Sequence, residues 1–354
     1  MTKARVQKSP FPPRQTEVTR LTIKDIAKLS GYAVGTVSRV LNDRPDVSPA
    51  ARAKVLSVVE EQHFRLNNNA KHLKQLSSSG IAIIVKGRSN LLFAAIVERM
   101  QVLIREKGYP SFIYYLDEAD DELEQALEVS RERKPLGILF LGSNLDYFKA
   151  WFPAITVPCV LVTNSAESLG FQNLSSVCTD DEAAAACAVE HLLTLGHTRI
   201  GILGGKMETS DAACARFQGC LRAFHAAKIP FDRETQYEVT RFTMGGGYDG
   251  MGRLLTKMPR LTAVFAMSDV QAVGAIRAIR DRGLHVPGDI SVIGFDGIEL
   301  GSYISPALTT IRQDALQMAD RGIEILFGHI AARQDPVHQR VPFTLLPGES
   351  VRAL

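Results

Sequence analysis

The hydrophobic residues of this chain follow two different patterns, one before and one after a polar stretch near residue 70. Between residues 20 and 66 they recur at steps of three and four, which is the period of amphipathic helices. The three short helices that this period predicts cover Ile23 to Ser30, about Val34 to Leu41, and Ala50 to Gln62. Gly31 separates the first two helices, so this segment is predicted to form a helix-turn-helix domain around one small shared core.

After Gly80, short β-branched runs alternate with amphipathic helices, a pattern typical of a parallel sheet covered by helices. The predicted strands are Ile81 to Val85, Phe112 to Tyr115, Gly137 to Leu141, Cys159 to Val162, Ile200 to Leu203, Ala263 to Ala266 and Ser291 to Gly294, with a late crossover strand at Leu308 to Ile311. Roughly 270 residues with this many strand-helix units exceed one core, so two similar α/β lobes are expected.

These patterns predict four regions along the chain. They are a disordered tail at 1–19, an all-α helix-turn-helix head at 20–66, a hinge at 67–80, and an α/β core of two parallel-sheet lobes at 81–354.

The composition excludes several classes of protein. The 354 residues are 45% hydrophobic and 22% charged, the balance of a globular protein with two or three domains. No run approaches the roughly 20 apolar residues of a membrane span, and residues 1–20 lack the apolar stretch of a secretion signal. Five cysteines without a CxxC pair predict buried free thiols, with neither a disulfide framework nor a zinc site.

The charge is distributed unevenly. The first 76 residues hold 14 Lys and Arg against 6 Asp and Glu, whereas the remainder holds 27 against 32. A basic head on an acidic body is typical of a nucleic-acid-binding module attached to another domain, because phosphates are neutralised by concentrated Lys and Arg. A solvated basic face without a partner is the alternative interpretation.

Polar or glycine-rich residues follow most of the predicted strands, where ligands bind in parallel sheets. These segments are Lys86 to Asn90, Gly142 to Asn144, Thr163-Asn164, Gly204 to Lys206, Ser268-Asp269 and Phe295-Asp296. If the lobes face each other, the segments converge on one cleft near Arg216, with Phe93 or Phe242 able to cover an apolar face. Such hydroxyls, amides and carboxylates suit a sugar-like polyol, although strand ends also turn in polar residues for structural reasons.

Signals of catalysis are weak. Gly201 to Lys206 lacks the spacing of a phosphate-binding loop and the Ser or Thr that would follow its lysine. His191 and His197 lie six residues apart and do not share a helix face for a metal. No GxSxG motif occurs. No enzyme activity, metal or cofactor is therefore expected.

Motifs across nearly the whole chain resemble one family, the LacI/GalR bacterial transcriptional regulators. Those similar to the family's DNA-binding head are Leu21 to Gly31, Gly35 to Asn42 and Val47-Ser48. Those similar to its effector domain are Val189 to Gly201, Ser268-Asp269 with Gly274, Val286 to Asp296, and Pro306 to Asp314. A periplasmic sugar-binding protein would share the lobes, but it would lack the head and carry a signal peptide.

The resemblance implies a periplasmic-binding-protein-like core with lobe 1 at about 81–178 plus 307–337, and lobe 2 at about 179–306 plus 338–354. It implies a cytoplasmic homodimer, nucleoid-associated when bound to DNA, that represses transcription from double-stranded, pseudo-palindromic operators under control of a sugar-like effector. Whether the effector releases DNA or strengthens binding stays open. The alternatives are a ligand-binding module whose head no longer binds DNA, and an enzyme on the same lobes. No leucine heptads follow the core, so a dimer is expected rather than a tetramer.

For DNA, the resemblance implies contacts from both the head and the hinge. The implied contact residues are Thr22, Ile23, Val34, Gly35, Thr36, Ser38, Arg39, Asn42, Asn67, Leu73 and Lys74. Val34, Gly35 and Arg39 are placed against base edges, and Leu73 matches a leucine that wedges a minor-groove step. Leu66 stands where a proline is usual, and Gly35 lies inside the recognition helix at a cost of about 1 kcal/mol.

For the effector, the resemblance implies a set of pocket residues. They are Phe93, Ser143, Thr163, Arg216, Phe242, Ser268, Asp269 and Asp296. Arg216 matches a ligand-binding arginine, Asp296 a carboxylate that accepts from ligand hydroxyls, and Phe242 an aromatic that stacks on the ligand. Thr163-Asn164 departs from the aspartate that sugar-binding members often carry, which implies a different hydroxyl contact.

Overall fold

The computed structural model describes residues 21–41, 44, 46–62, 64, 80–88, 90–332 and 334–354. The chain divides after Ser77 into two compact units. The predicted tail at 1–19, most of the predicted hinge, and the candidate DNA contacts Asn42, Asn67, Leu73 and Lys74 lie outside the described residues.

The first unit contains three helices: α1 Ile23–Ser30, α2 Val34–Leu41 and α3 Pro49–Glu61. α1 and α2 agree with the prediction, and α3 begins and ends one residue early. Ile26, Val37 and Val55 are fully buried and form the centre of the head's core. At the start of α1, the Asp25 carboxylate accepts from both the N–H and the hydroxyl of Thr22. The first helix ends at Gly31, whose φ of 75° is the left-handed conformation that glycine allows at helix ends.

The second unit contains two six-stranded sheets. Its strands are β1 Ile81–Lys86, β2 Ser111–Leu116, β3 Gly137–Leu141, β4 Cys159–Val162, β5 Leu174–Thr179, β6 Ile200–Gly204, β7 Tyr237–Val239, β8 Ala263–Ala266, β9 Ser291–Asp296, β10 Thr309–Gln313, β11 His338–Val341 and β12 Phe343–Leu346. The strand orders are β11-β5-β4-β3-β1-β2 and β12-β10-β9-β8-β6-β7. Every pair is parallel except β10 with β12, so the predicted two-lobe α/β fold is confirmed.

Helices cover both sheets. They are α4 Leu91–Glu106, α5 Glu122–Glu132, α6 Leu145–Trp151, α7 Asp181–Thr194, α8 Asp211–Ala226, α9 Arg233–Gln236, α10 Met244–Lys257, α11 Asp269–Arg280, α12 Leu300–Tyr303 and α13 Ala315–Ala331. Each lobe has two apolar clusters of buried side chains, one packed on each face of its sheet. No helix among the described residues is long and apolar enough to span a membrane.

The expected lobe boundaries are wrong at the C-terminal end. β10 pairs with β9 and therefore belongs to lobe 2, and β11 pairs with β5 and belongs to lobe 1. The chain passes between the lobes after β5, after β10 and after β11, so lobe 1 comprises residues 80–179 with 315–341. Lobe 2 comprises 181–313 with 343–354. Strand pairing decides this assignment, and a local hydrophobic pattern does not reveal which strand is the neighbour.

Candidate functional site

A cleft of about 580 Å³ lies between the lobes, at the carboxyl ends of their parallel strands. The candidate effector residues that line it are Phe93, Ser143, Thr163, Arg216, Phe242, Ser268 and Asp296. The expected convergence of strand ends on one cleft is therefore present in the structure. Both lobes contribute, because Phe93, Ser143 and Thr163 follow strands of lobe 1 and the others belong to lobe 2.

Two strand ends in the cleft have strained backbones. Thr163 has φ 84° and Asp296 has φ 122°, although neither is glycine. Such conformations cost on the order of 1–3 kcal/mol each and concentrate at functional sites, where the surrounding structure imposes them. The Thr163 hydroxyl accepts from the N–H of Gly142, whose own φ is 72°, so neighbouring strands turn together at the cleft floor.

Arg216 on α8 is the cation at the centre of the lobe 2 wall. Its Nε donates to Asp181 Oδ1 at 2.8 Å and its Nη1 donates to the carbonyl of Met267. Its guanidinium stacks 3.8 Å above the Phe295 ring, and Nη1 lies 3.9 Å from Asp296 Oδ1. These contacts fix the guanidinium while leaving part of its donor fork for a ligand.

The helices that carry Arg216 and Asp181 pack closely. A Cβ on Gly219 of α8 would lie 2.1 Å from the carbonyl oxygen of Glu182 on α7. Only glycine permits this approach, which brings the first turns of both helices within reach of one ion pair. The Arg-x-x-Gly spacing of the sequence therefore has a packing reason as well as a chemical one.

Buried carboxylates surround Arg216. Burial raises the pKa of Asp181, and Arg216 opposes this rise. Burial also raises the pKa of Asp296, which Arg216 and a hydrogen bond from Gln313 oppose. Because Asp296 is poorly solvated in the folded protein, a ligand hydroxyl that donates to it would recover solvation that the fold removes.

The structure does not place Asp269 in the cleft, which corrects the prediction from sequence. Its side chain is fully buried, with Oδ1 accepting from the Thr310 hydroxyl at 2.6 Å and Oδ2 from the N–H of Ile298 at 2.8 Å. Asp269 is the first residue of α11, and its carboxylate lies behind the end of β9, a placement that strand-end position alone does not reveal. It holds the segment after Asp296 in place, and burial and the charge of Asp296 raise its pKa.

Sequence reasoning missed Gln313, which lines the cleft and donates through Nε2 to Asp296 Oδ1 at 2.8 Å. Gln313 is the last residue of β10, whose predicted range ended two residues earlier, at Ile311. The signal that could have found it is its position as a polar residue at the carboxyl end of a parallel strand.

A buried ion pair holds one part of the lobe 1 wall. Lys86 Nζ lies 2.8 Å from Glu122 Oε2, and Glu122 Oε1 accepts from the N–H of Asn144 at 2.6 Å. Lys86 also lies 4.7 Å from the centre of the Tyr147 ring. The neighbouring Ser143 hydroxyl is buried and has no hydrogen-bond partner among the described residues, so it is a polar group that a ligand could satisfy.

The head presents the predicted face of α2. Val34, Gly35 and Arg39 are exposed, whereas Val37 and Val40 on the opposite side are buried. The Arg39 side chain is 61% exposed, and its Nε lies 3.7 Å from Asp46, a separation at which an exposed ion pair is weak. Thr22 is exposed, Thr36 and Ser38 are partly buried, and Ile23 packs against the head's core.

The cysteines and the possible metal ligands were also compared with the predictions. Cys159, Cys178, Cys187, Cys214 and Cys220 are unpaired thiols. Within the described part of the chain, no cluster of three His, Cys, Asp or Glu side chains could hold a metal.

Comparison with known proteins matches both parts of this architecture. The family model described as bacterial regulatory proteins, lacI family, matches residues 22–67, and a periplasmic binding protein-like domain matches residues 189–351. The HTH-type transcriptional regulator MalR of Clostridium butyricum is 34% identical over 323 residues, 90% of this chain and 95% of that protein. The HTH-type transcriptional repressor PurR of Haemophilus influenzae (strain PittEE) is 29% identical over 338 residues, which are 94% of this chain and 97% of that protein.

Among solved structures, the transcriptional regulator CelR-cellobiose complex superposes with a TM-score of 0.67 at 26% identity, covering 94% of this chain and all of that one. A helix-turn-helix head with a two-lobed, cleft-bearing core defines a ligand-responsive transcriptional regulator. This chain belongs to the LacI family of bacterial regulatory proteins.

Proposed function

We propose that this protein is a repressor whose affinity for operator DNA is set by a sugar or sugar derivative bound between the lobes of its core. The observation that carries the proposal is the cleft between the lobes, where a buried arginine, a buried carboxylate and aromatic rings meet at strained strand ends. The protein acts in the cytoplasm as a homodimer, with two heads about one helical turn apart on pseudo-palindromic DNA.

The chemistry of the cleft supports a polyol. Arg216 supplies donors, Asp296 supplies an acceptor, and the Ser143 hydroxyl can do either. Phe242 and Phe93 supply apolar faces for the C–H side of a sugar ring. A volume of about 580 Å³ accommodates a ligand larger than one sugar ring, and the similar CelR was solved with the disaccharide cellobiose.

The mechanism is thermodynamic linkage. A ligand that contacts both lobes favours one arrangement of them, and that arrangement changes the spacing of the paired heads. Ligand and operator then change each other's affinity by the same factor. The direction of the change depends on which arrangement the ligand prefers.

Ligand class is tested by thermal unfolding of the full chain with cellobiose, maltose, ribose, sugar phosphates, nucleosides and nucleobases. A ligand at 100 times its Kd adds about 2.7 kcal/mol to the stability of the native state, which gives a clear shift. A shift with a sugar supports the polyol cleft. A shift only with nucleobases would exclude a sugar effector while leaving the regulator intact.

DNA recognition is tested with Arg39→Ala against Lys28→Ala, which removes an equal charge from the exposed side of α1. A guanidinium bridging guanine O6 and N7 supplies about 1–3 kcal/mol of base discrimination. Arg39→Ala is therefore expected to lose sequence preference in footprinting and to keep salt-sensitive binding. Lys28→Ala is expected to keep the footprint, and an unchanged footprint for Arg39→Ala would contradict the assignment.

The role of Asp296 is tested by Asp296→Asn, which keeps the shape and one acceptor but removes the charge. We expect operator binding to persist and the response to the ligand to weaken. A normal response would remove Asp296 from the effector site.

The enzyme alternative is tested by incubating the protein with a bound sugar and following the sugar by chromatography. Conversion of the sugar would favour an enzyme on the same lobes.

A further inference from the structure

An ion pair crosses the mouth of the cleft. Arg241, which follows β7 in lobe 2, donates through Nη2 to both carboxylate oxygens of Asp117 in lobe 1, at 2.7 and 2.9 Å. Its Nε lies 3.5 Å from Glu118 Oε2. Two adjacent carboxylates of one lobe therefore hold one guanidinium of the other.

Glu118 also reaches the backbone of the candidate stacking residue, Phe242. Burial raises the pKa of Glu118, while Arg241 and the backbone N–H of Phe242 oppose the rise by favouring the charged carboxylate. Arg241, Phe242 and Glu118 all line the cleft. The contact is thus made beside Phe242, the residue proposed to stack on the ligand.

On its own lobe, the Arg241 segment is anchored through its backbone. Gln271 Nε2 donates to the Thr240 hydroxyl at 2.6 Å and to the carbonyl of Arg241 at 3.3 Å, and Gln271 is fully buried. Thr240 N–H donates to the carbonyl of Gly204 at 2.7 Å. The backbone at Thr240 and Arg241 is therefore held by lobe 2, while the Arg241 side chain is held by lobe 1.

A second hydrogen bond crosses between the lobes at α8. The N–H of Leu145 in lobe 1 donates to Asp211 Oδ2 of lobe 2 at 2.8 Å. This bond uses a backbone donor that no substitution of Leu145 other than proline removes. The ion pair of Arg241 has a charged side chain on each lobe, so it can be tested by exchanging the two charges, whereas the Leu145–Asp211 bond has a side chain only at Asp211.

We propose that Asp117 and Glu118 are positioning residues that clasp Arg241 across the cleft and thereby hold Phe242 over the bound ligand. The clasp joins lobe closure to the placement of the stacking ring. The role of Phe242 at the ligand rests on the proposed function. The ion pairs between Arg241 and the two carboxylates form without a ligand.

The test is hydrogen-deuterium exchange of the full chain without ligand, so that it does not depend on the effector class. The variants are Arg241→Asp, Asp117→Arg and the double variant that exchanges the two charges. Arg277→Asp is the matched control, because Arg277 pairs with Asp281 entirely within lobe 2. In the double variant an ion pair between positions 117 and 241 can still form, with the positive charge on lobe 1 and the negative charge on lobe 2.

Each single variant is expected to speed exchange of amides 240–243 by about threefold, since opposite charges become like charges across the cleft. The double variant is expected to recover part of the lost protection, because it re-forms the ion pair between positions 117 and 241 but leaves Glu118 facing a carboxylate at position 241. Arg277→Asp is expected to leave the rate unchanged. Failure of the double variant to restore protection would overturn the proposal. Equal acceleration in the buried strand at 200–204 would also overturn it, because that pattern indicates general destabilisation.

Discussion

Replacing Arg216 by methionine is expected to destabilise the core by about 3–5 kcal/mol at neutral pH, the cost typical of removing one partner from a buried ion pair. Methionine retains an apolar stem of similar length on Phe295 but loses the donors to Asp181 and to the Met267 carbonyl. Two buried carboxylates, Asp181 and Asp296, then lack their cation.

The pH dependence identifies the cause. Burial already raises the pKa of Asp181 and of Asp296, and loss of Arg216 raises both pKa values further. A carboxyl group whose pKa is higher in the folded than in the unfolded state costs nothing while both states are protonated, below about pH 4. The cost grows as the pH rises and is complete above the folded pKa. The variant is therefore closest to the wild type in acid.

Thermal unfolding of the full chain at pH 5 and pH 8 measures this difference. With about 2 °C of Tm per kcal/mol for a unit of this size, the expected loss at pH 8 is about 6–10 °C, and less at pH 5. Arg222→Met is the matched control, because Arg222 lies on the same helix and pairs with the neighbouring Glu182 at an exposed site. Its loss is expected to be about 0.5 kcal/mol. Equal losses for the two variants, or a loss independent of pH, would show that Arg216 does not stabilise the buried carboxylates of Asp181 and Asp296.

Further predictions concern packing, helix propensity and the buried carboxylates of Asp296 and Asp269. Gly274→Ala is expected to lower Tm clearly, since its Cβ would lie 2.0 Å from a backbone oxygen, whereas Gly245→Ala, with nothing within 4 Å, should be neutral or raise Tm. Gly35→Ala should stabilise the head by up to about 1 kcal/mol in calorimetry, because Gly35 is an open helical position. Folding raises the pKa values of Asp296 and Asp269. The free energy of unfolding is therefore highest in acid and falls as the pH rises towards the folded pKa values. Asp296→Asn should flatten the decline of Tm between about pH 4 and pH 7, because this decline lies between the unfolded and the folded pKa of Asp296, and an unaltered decline would contradict the assignment.

The elements that the sequence predicted correctly have an uninterrupted pattern of hydrophobic residues, either a continuous apolar run or a helical period. β3, β4 and β8 match their predicted bounds because each is a continuous apolar run buried on both faces. α1 and α2 match because Gly31 ends one helix and the apolar period resumes in the next.

β5 was missed because its burial depends on partners far along the chain. Ser175 and Ser176 are almost fully buried, yet each hydroxyl is paired with a histidine, His329 at 2.9 Å and His338 at 2.8 Å. Two adjacent serines indicate a turn or surface segment when those partners are unknown. The returning strand that carries His338 was missed with it, and so the lobe boundary was misplaced.

The candidate site was predictable in its location but not in its details. Strand ends indicated the cleft, and the family resemblance indicated Arg216 and Asp296. Neither distinguished Ser268, which lines the cleft, from the adjacent Asp269, which points behind it. That distinction depends on side-chain direction at the start of α11. The clasp between Arg241 and Asp117 joins elements separated by more than a hundred residues and has no local signal.

The most direct test of the account measures the reciprocity of ligand and operator binding. An operator is first selected from random duplex DNA, and its Kd is measured by fluorescence anisotropy with and without the sugar that gives the largest thermal shift. The Kd of that sugar is then measured by calorimetry with and without the operator. Thermodynamic linkage predicts that both ratios differ from one and equal each other. A sugar that binds tightly while leaving the operator Kd unchanged would contradict it.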